Sequence, residues 1–237
     1  MAGFAKKADT QIVIKAPEFT ILQIPIIGTA PFVSNAFGYE AQEMMKAEQL
    51  LGSEGSKKKK AQENKAKPPK DFEKGFHESM HQATFDERGA ALAKKDYWYG
   101  IPSTSFKAAL VRACCVCGVE MTKAKMCVFV MADGFESDGT PLVRITKGAP
   151  VRFDKYVRLA NGKPDIRARG RWDTGWESNL RVRFDASLMT QETIANLVVR
   201  AGISVGVGAG RPFSTSSVGQ GWGTFEISPT YQEAAAQ

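Results

Sequence analysis

The chain has 237 residues, with 32 lysines and arginines against 25 acids, a net charge of +7 and a pI near 9.2. That length suffices for one elaborated core, and the basic excess directs expectation to a polyanionic partner, nucleic acid first. No apolar run approaches the ~20 residues of a membrane-spanning helix, and MAGFAKKADTQ lacks the apolar region of a signal peptide, so the expected setting is cytoplasmic with no membrane partner.

Residues 11–28, QIVIKAPEFTILQIPIIG, are rich in β-branched side chains and predict one or two strands kinked at Pro17 and Pro25. Residues 39–97 change character. A helix-prone piece runs into GSEGSKKKKAQENKAKPPK, where eight lysines between Lys57 and Lys74 face three acids, and then into DFEKGFHESMHQATF. This reads as a lysine-rich insertion outside the core, either a solvated linker or a phosphate-tracking arm that includes Lys57, Lys58, Lys59 and Lys60.

IPSTSFKAALVRACCVCG follows, with Phe106, Ala109, Leu110, Ala113 and Cys117 at helical spacing from a start near Ser103. The apolar run Met126 to Met131 predicts a central strand. From Val151 to Phe184 nine basic residues meet four acids, and Asn161-Gly162 signals a hairpin. Arg167, Arg169 and Arg171 have period two and project from one strand face, with Trp172, Trp176 and Tyr156 close in sequence. Guanidinium forks bind phosphate and aromatic rings stack on bases, which points to nucleic-acid contact over an exposed, merely solubilising hairpin. Leu180, Val182 and Phe184 alternate with Arg181 and Arg183, a half-buried strand with a basic open face.

Thr190 is placed to cap a helix through Ile194, Leu197, Val198 and Ala201, ending at Gly202. Seven glycines then fall between Gly202 and Gly223, before a strand over residues 222–227. Amides unobstructed by side chains suit phosphate. The G-x-G-x-G run at Gly206, Gly208 and Gly210 follows a helix and has the wrong spacing for a dinucleotide loop.

The order strand, helix, strand, strand, helix, strand predicts an α+β, ferredoxin-like (RRM-type) βαββαβ core in one domain over residues 1–237. Its two insertions are the lysine-rich segment 39–97 and a basic hairpin segment 134–178. His77-Glu78-Ser79-Met80-His81 matches the zinc-hydrolase pattern H-E-x-x-H. These are the only two histidines of the chain, and no third ligand stands at a recognised spacing. Zinc hydrolysis through His77, Glu78 and His81 is therefore the alternative to an expected non-enzymatic protein with no cofactor or metal. Cys114, Cys115, Cys117 and Cys127 read as reduced structural thiols, three of them crowding one helix end.

IPSTSFKAALVRAC resembles the helix start of the RAMP superfamily, the ferredoxin-like proteins of CRISPR effector backbones. VGVGAGRPFSTSSVGQGWGTFEI resembles that superfamily's glycine-rich loop, which ends in a G-x-G-x-F strand. The whole chain is more similar still to an uncharacterised family of phage and prophage proteins, through Ile27-Gly28-Thr29-Ala30-Pro31-Phe32, Gly100 to Ala109, and Ala201 to Pro212. The superfamily resemblance implies subunits that assemble side by side on single-stranded nucleic acid. A phage setting implies single-stranded DNA in replication or recombination, inside a bacterial host cell; a CRISPR-type setting implies guide RNA. Mimicry of a host CRISPR backbone subunit and a virion or scaffold component are the other readings. The loop's sole cation is Arg211, so most phosphate contacts are expected elsewhere. The expected strand path is Arg167, Arg169, Arg171, Arg181 and Arg183, stacking falls to Trp172 and Trp176, and Lys107 and Arg112 reach phosphates from the first helix.

Overall fold

Alternation in two long segments sets the architecture, because each strand can bury only every second side chain. In the computed structural model, which describes residues 16–38, 42–47, 49–50, 69–158, 162, 164–214 and 219–229, the fold is α+β on a curled antiparallel sheet. In chain order the strands are β1 (Phe19–Gly28), β2 (Phe32–Val33), β3 (Gln82–Ala83), β4 (Phe85–Asp86), β5 (Trp98–Pro102), β6 (Val128–Val130), β7 (Gly134–Phe135), β8 (Pro141–Lys147), β9 (Val151–Arg158), β10 (Pro164–Trp172), β11 (Glu177–Asp185) and β12 (Phe225–Ile227). Helix α1 includes residues 42–47. It is followed by α2 (Phe72–Glu78), α3 (Ser103–Cys117), α4 (Met121–Cys127) and α5 (Gln191–Ser204).

β1 and β11 pair antiparallel from Phe19↔Asp185 to Ile27↔Glu177 and form the spine. β12 adds to the other edge of β1. The far edge of β11 is shared: β6 takes the stretch Val182 to Phe184, and β8 takes Glu177 and Ser178 across a bulge. From β8 the sheet continues to β5 and β3. Pro25 lies inside β1 without breaking it, at the point where β12 departs and Ser228 N–H donates the last bond to the Pro25 carbonyl. Ile24 and Ile26 of β1, and Leu180, Val182 and Phe184 of β11, point into one core with Phe106, Ala109, Leu110 and Ala113 of α3 and Ile194, Leu197, Val198 and Ala201 of α5. The opposite face carries Arg181 and Arg183, as their alternation with Leu180, Val182 and Phe184 predicted, together with Phe19 and Ile21.

A second, smaller sheet, β2-β10-β9, contains the expected hairpin, with β9 and β10 paired from Val151↔Arg171 to Arg158↔Pro164. Three expectations need correction. The segment 39–97 is not wholly outside the core, since Phe76 of α2 and the following Met80 join the main apolar cluster. The strand expected over Met126 to Met131 is only three residues long and lies on β11 alone, because residues 121–127 wind into α4 first. Helix α5 keeps its Thr190 cap, whose hydroxyl accepts from Thr193 N–H, but runs past Gly202 to Ser204. Gly202 is required by packing: a Cβ there would sit 1.9 Å from the Phe225 carbonyl oxygen.

Candidate nucleic-acid interface

Helix α3 begins at Ser103 with no side-chain cap, and its buried stripe fixes which residues turn away from the sheet. Those outer residues face the glycine-rich loop across a groove of about 540 Å³. Lys107 and Arg112 of α3, Lys125 of α4 and Arg211 of the loop line it, against apolar walls that include Ala108, Met121, Val205, Val207 and Phe213. No aspartate or glutamate is among the lining residues. None of the four cations has a carboxylate partner among the described residues. The Arg112 guanidinium stacks 3.9 Å from the Phe213 ring centroid, and Arg211 donates to the Gly208 carbonyl at 3.1 Å. Both heads are thereby oriented while their charge stays uncompensated.

The loop is a wall rather than a flexible cradle. Val207 N–H donates to the Gly223 carbonyl at 2.9 Å, Gly223 N–H to Pro31 at 2.8 Å and Ala209 N–H to Val33 at 2.9 Å. These amides, and Gly206 N–H on the Ala201 carbonyl, are spent on the fold, and the groove's charged donors are the side chains of Lys107, Arg112, Lys125 and Arg211. A second hollow of about 200 Å³ adjoins the groove through Ser105, Gly208 and Arg211. Ser34 lines it, and its buried hydroxyl has no hydrogen-bond partner among the described residues.

The arginine row on β10 keeps its expected periodicity, with Arg167, Arg169 and Arg171 opposite Lys155, Phe153 and Val151 on one face. Its charge is largely answered locally. Arg171 pairs with Asp173 at 2.9 Å, and Arg167 lies 3.5 Å from Asp165, which also holds Lys70 at 2.6 Å. Arg169 is the exception: burial and the neighbouring Arg167 charge hold its basicity below the ordinary arginine range.

The two tryptophans are core residues, a correction to their expected stacking role. Trp172 and Trp176 are 1% and 0% exposed, packed around Phe32 at centroid distances of 5.5 and 5.7 Å. The Trp176 indole N–H donates to the Ala30 carbonyl. The aromatics that do accompany the basic row are Phe153 and Trp222, 5.6 Å apart, with Arg171 over the first and Lys155 over the second. Trp222 lies in the glycine-rich loop and not in the strand expected over residues 222–227, which is confined to Phe225–Ile227, so no local pattern links it to the hairpin.

Arg181 shares the open sheet face with Arg183, yet it is held by Glu87 at 3.0 Å and Asp133 at 2.9 Å and donates to the Ala132 carbonyl; its side chain is 24% exposed. It ties β11 to the β4 and β7 regions. Arg181→Met is expected to cost about 2 kcal/mol in chemical denaturation, because two carboxylates lose their shared partner, while oligonucleotide affinity per folded molecule stays unchanged. Arg183 has no carboxylate partner among the described residues and stacks between Phe19 and Phe129.

Lys57, Lys58, Lys59 and Lys60 lie outside the described residues. The H-E-x-x-H segment does not place its imidazoles on one helical face, since α2 stops at Glu78 and is capped at Ser79. His77 is exposed beside Glu73, whereas His81 Nδ1 meets Glu136 at 2.9 Å. Among the described residues no group of three or more His, Cys, Asp or Glu side chains converges. Cys114 and Cys127 are buried, and burial raises both thiols above their ordinary range. Cys115 and Cys117 are exposed, contrary to the expectation of uniformly structural thiols.

Fold and groove thus define an α+β protein with a cleft of unneutralised cations. Among the described residues no helix is long and apolar enough to cross a membrane. No protein-family model matches the chain, and no curated protein matches it.

Proposed function

We propose that this protein binds single-stranded nucleic acid, DNA or RNA, through the groove between α3 and the glycine-rich loop. The observation that carries this reading is the convergence of Lys107, Arg112, Lys125 and Arg211 on one apolar-walled opening without a carboxylate among them. Phosphates sit on the cations, while an unstacked base lies against Phe213, a combination that a single strand provides and a stacked duplex does not. The volume lies within the range of small-ligand sites.

On the same reading the core is ferredoxin-like. The supporting pattern is the strand order β12-β1-β11-β6, antiparallel at every step, with α3 and α5 packed on the same apolar cluster. That arrangement is the one the resemblance to RAMP proteins implies.

Labelled single-stranded DNA, single-stranded RNA and duplex of equal length, titrated across a salt series, test the proposal. Single strands are expected to bind with a log-log salt slope near −0.7 for each phosphate neutralised. Binding that ignores salt, or that favours duplex, overturns it.

A further inference from the structure

We propose that Phe19, Phe129 and Arg183, on the open face of the sheet, form a base-stacking platform for the strand that leaves the groove. This rests on the single-strand reading above.

Phe19 and Ile21 are 51% and 50% exposed at the start of a strand whose alternate residues are core. Leaving two large apolar side chains in water at the end of a regular strand keeps apolar area unburied. Phe19 and Phe129 meet edge to face, with centroids 6.2 Å apart. The Arg183 guanidinium lies 4.8 Å from the first ring and 5.2 Å from the second. The register explains the grouping: Phe19 is the rung next to Thr20↔Phe184 on one side of β11, and Arg183 sits directly opposite Phe129 on the other. Three planar groups from three strands therefore share one surface.

Lys107 connects this surface to the groove. Its ammonium lies 4.6 Å from the Phe129 ring centroid, and the same side chain lines the groove beside Arg112. A strand held by the groove cations thus reaches the platform past a cation.

Charge selects the occupant. Two carboxylates of this face, Glu87 and Asp133, hold Arg181, and Asp185, opposite Phe19, is buried and accepts from Glu18 N–H, Ser187 N–H and the Ser187 hydroxyl. Arg183 and Lys107 retain their charge. A second copy docking symmetrically on this face sets like charges against one another, whereas a nucleotide brings both a π face for the rings and a phosphate for the cations.

The test uses full-length protein and a single-stranded oligonucleotide carrying 2-aminopurine, whose fluorescence is quenched by stacking. Phe19→Ala and Phe129→Leu are each expected to weaken binding about tenfold, within the range for removal of one base-aromatic stack, and to restore fluorescence at one position. The salt slope should not change, because every phosphate-binding cation is kept. Phe129→Leu keeps apolar volume, so a folded variant is available even if Phe19→Ala is poorly behaved. Wild-type protein that binds with the expected salt slope while both variants bind equally well overturns the platform alone. Variants that instead change the sedimentation mass without nucleic acid also overturn it, assigning the face to self-association. Wild-type protein that binds no single strand removes the functional reading as well.

Discussion

Glutamine at Lys107, Arg112, Lys125 and Arg211 together is expected to lower single-strand affinity by roughly three orders of magnitude, at on the order of 1 kcal/mol for each cation. It is also expected to remove about 3 from the log-log salt slope. Folding stability should change by no more than about 1 kcal/mol. Among the described residues none of the four has a carboxylate partner to abandon, and the Arg112 stack on Phe213 is the main packing interaction that glutamine gives up. Anisotropy titrations across a salt series, paired with circular-dichroism melts, read both quantities. The contrast that decides the site is an Arg167/Arg171→Gln variant, whose guanidiniums already lie against Asp165 and Asp173. If that variant loses more affinity than the groove variant, the binding site is the hairpin and the groove assignment fails.

The second large effect is on folding. At Gly223 φ is +65°, and a Cβ would lie 1.8 Å from the Val207 carbonyl oxygen, next to the rung through which Val207 bonds back to Gly223. Gly223→Ala is expected to cost about 4 kcal/mol, the left-handed conformation and a backbone clash adding together. That is a large share of a domain's marginal stability. Gly221→Ala is the control, since Gly221 has φ of +73° but open space around its Cβ position. It should cost only about 1–2 kcal/mol. Urea unfolding distinguishes the two; equal costs would show that the loop gives way and does not form a rigid wall. Loss of oligonucleotide binding in Gly223→Ala molecules that remain folded would add that the wall positions Arg211.

Much of the local structure is legible in the sequence. The Asn161-Gly162 signal marks a hairpin that is present, the alternation around Arg181 and Arg183 assigns the faces of β11, and the i, i+3, i+4 stripes mark α3 and α5. Lys107, Arg112 and Arg211 stand out from helix position and loop composition, and they do meet at one groove. Lys125 escapes such a reading because it directly precedes the run Met126 to Met131 that reads as strand, whereas Met121–Cys127 winds into helix before the chain extends.

What the sequence determined by itself is periodicity: which residues are helical, which alternate, and therefore which side chains share a face. What only the tertiary structure decided is what each face meets. Trp172 ends the basic strand β10 and Trp176 follows it, but both are buried around Phe32 of β2. Arg181 and Arg183 are two residues apart on one face, yet Glu87 and Asp133 arrive from elsewhere in the chain to neutralise the first, and Phe19 and Phe129 frame the second. Backbone geometry repeats over two to four residues and can be read locally, whereas neutralisation and burial depend on contacts between distant segments. For that reason the basic character of the protein is visible in its composition, and Lys107, Arg112 and Arg211 in its local pattern, but their convergence with Lys125 on one groove without a carboxylate is not.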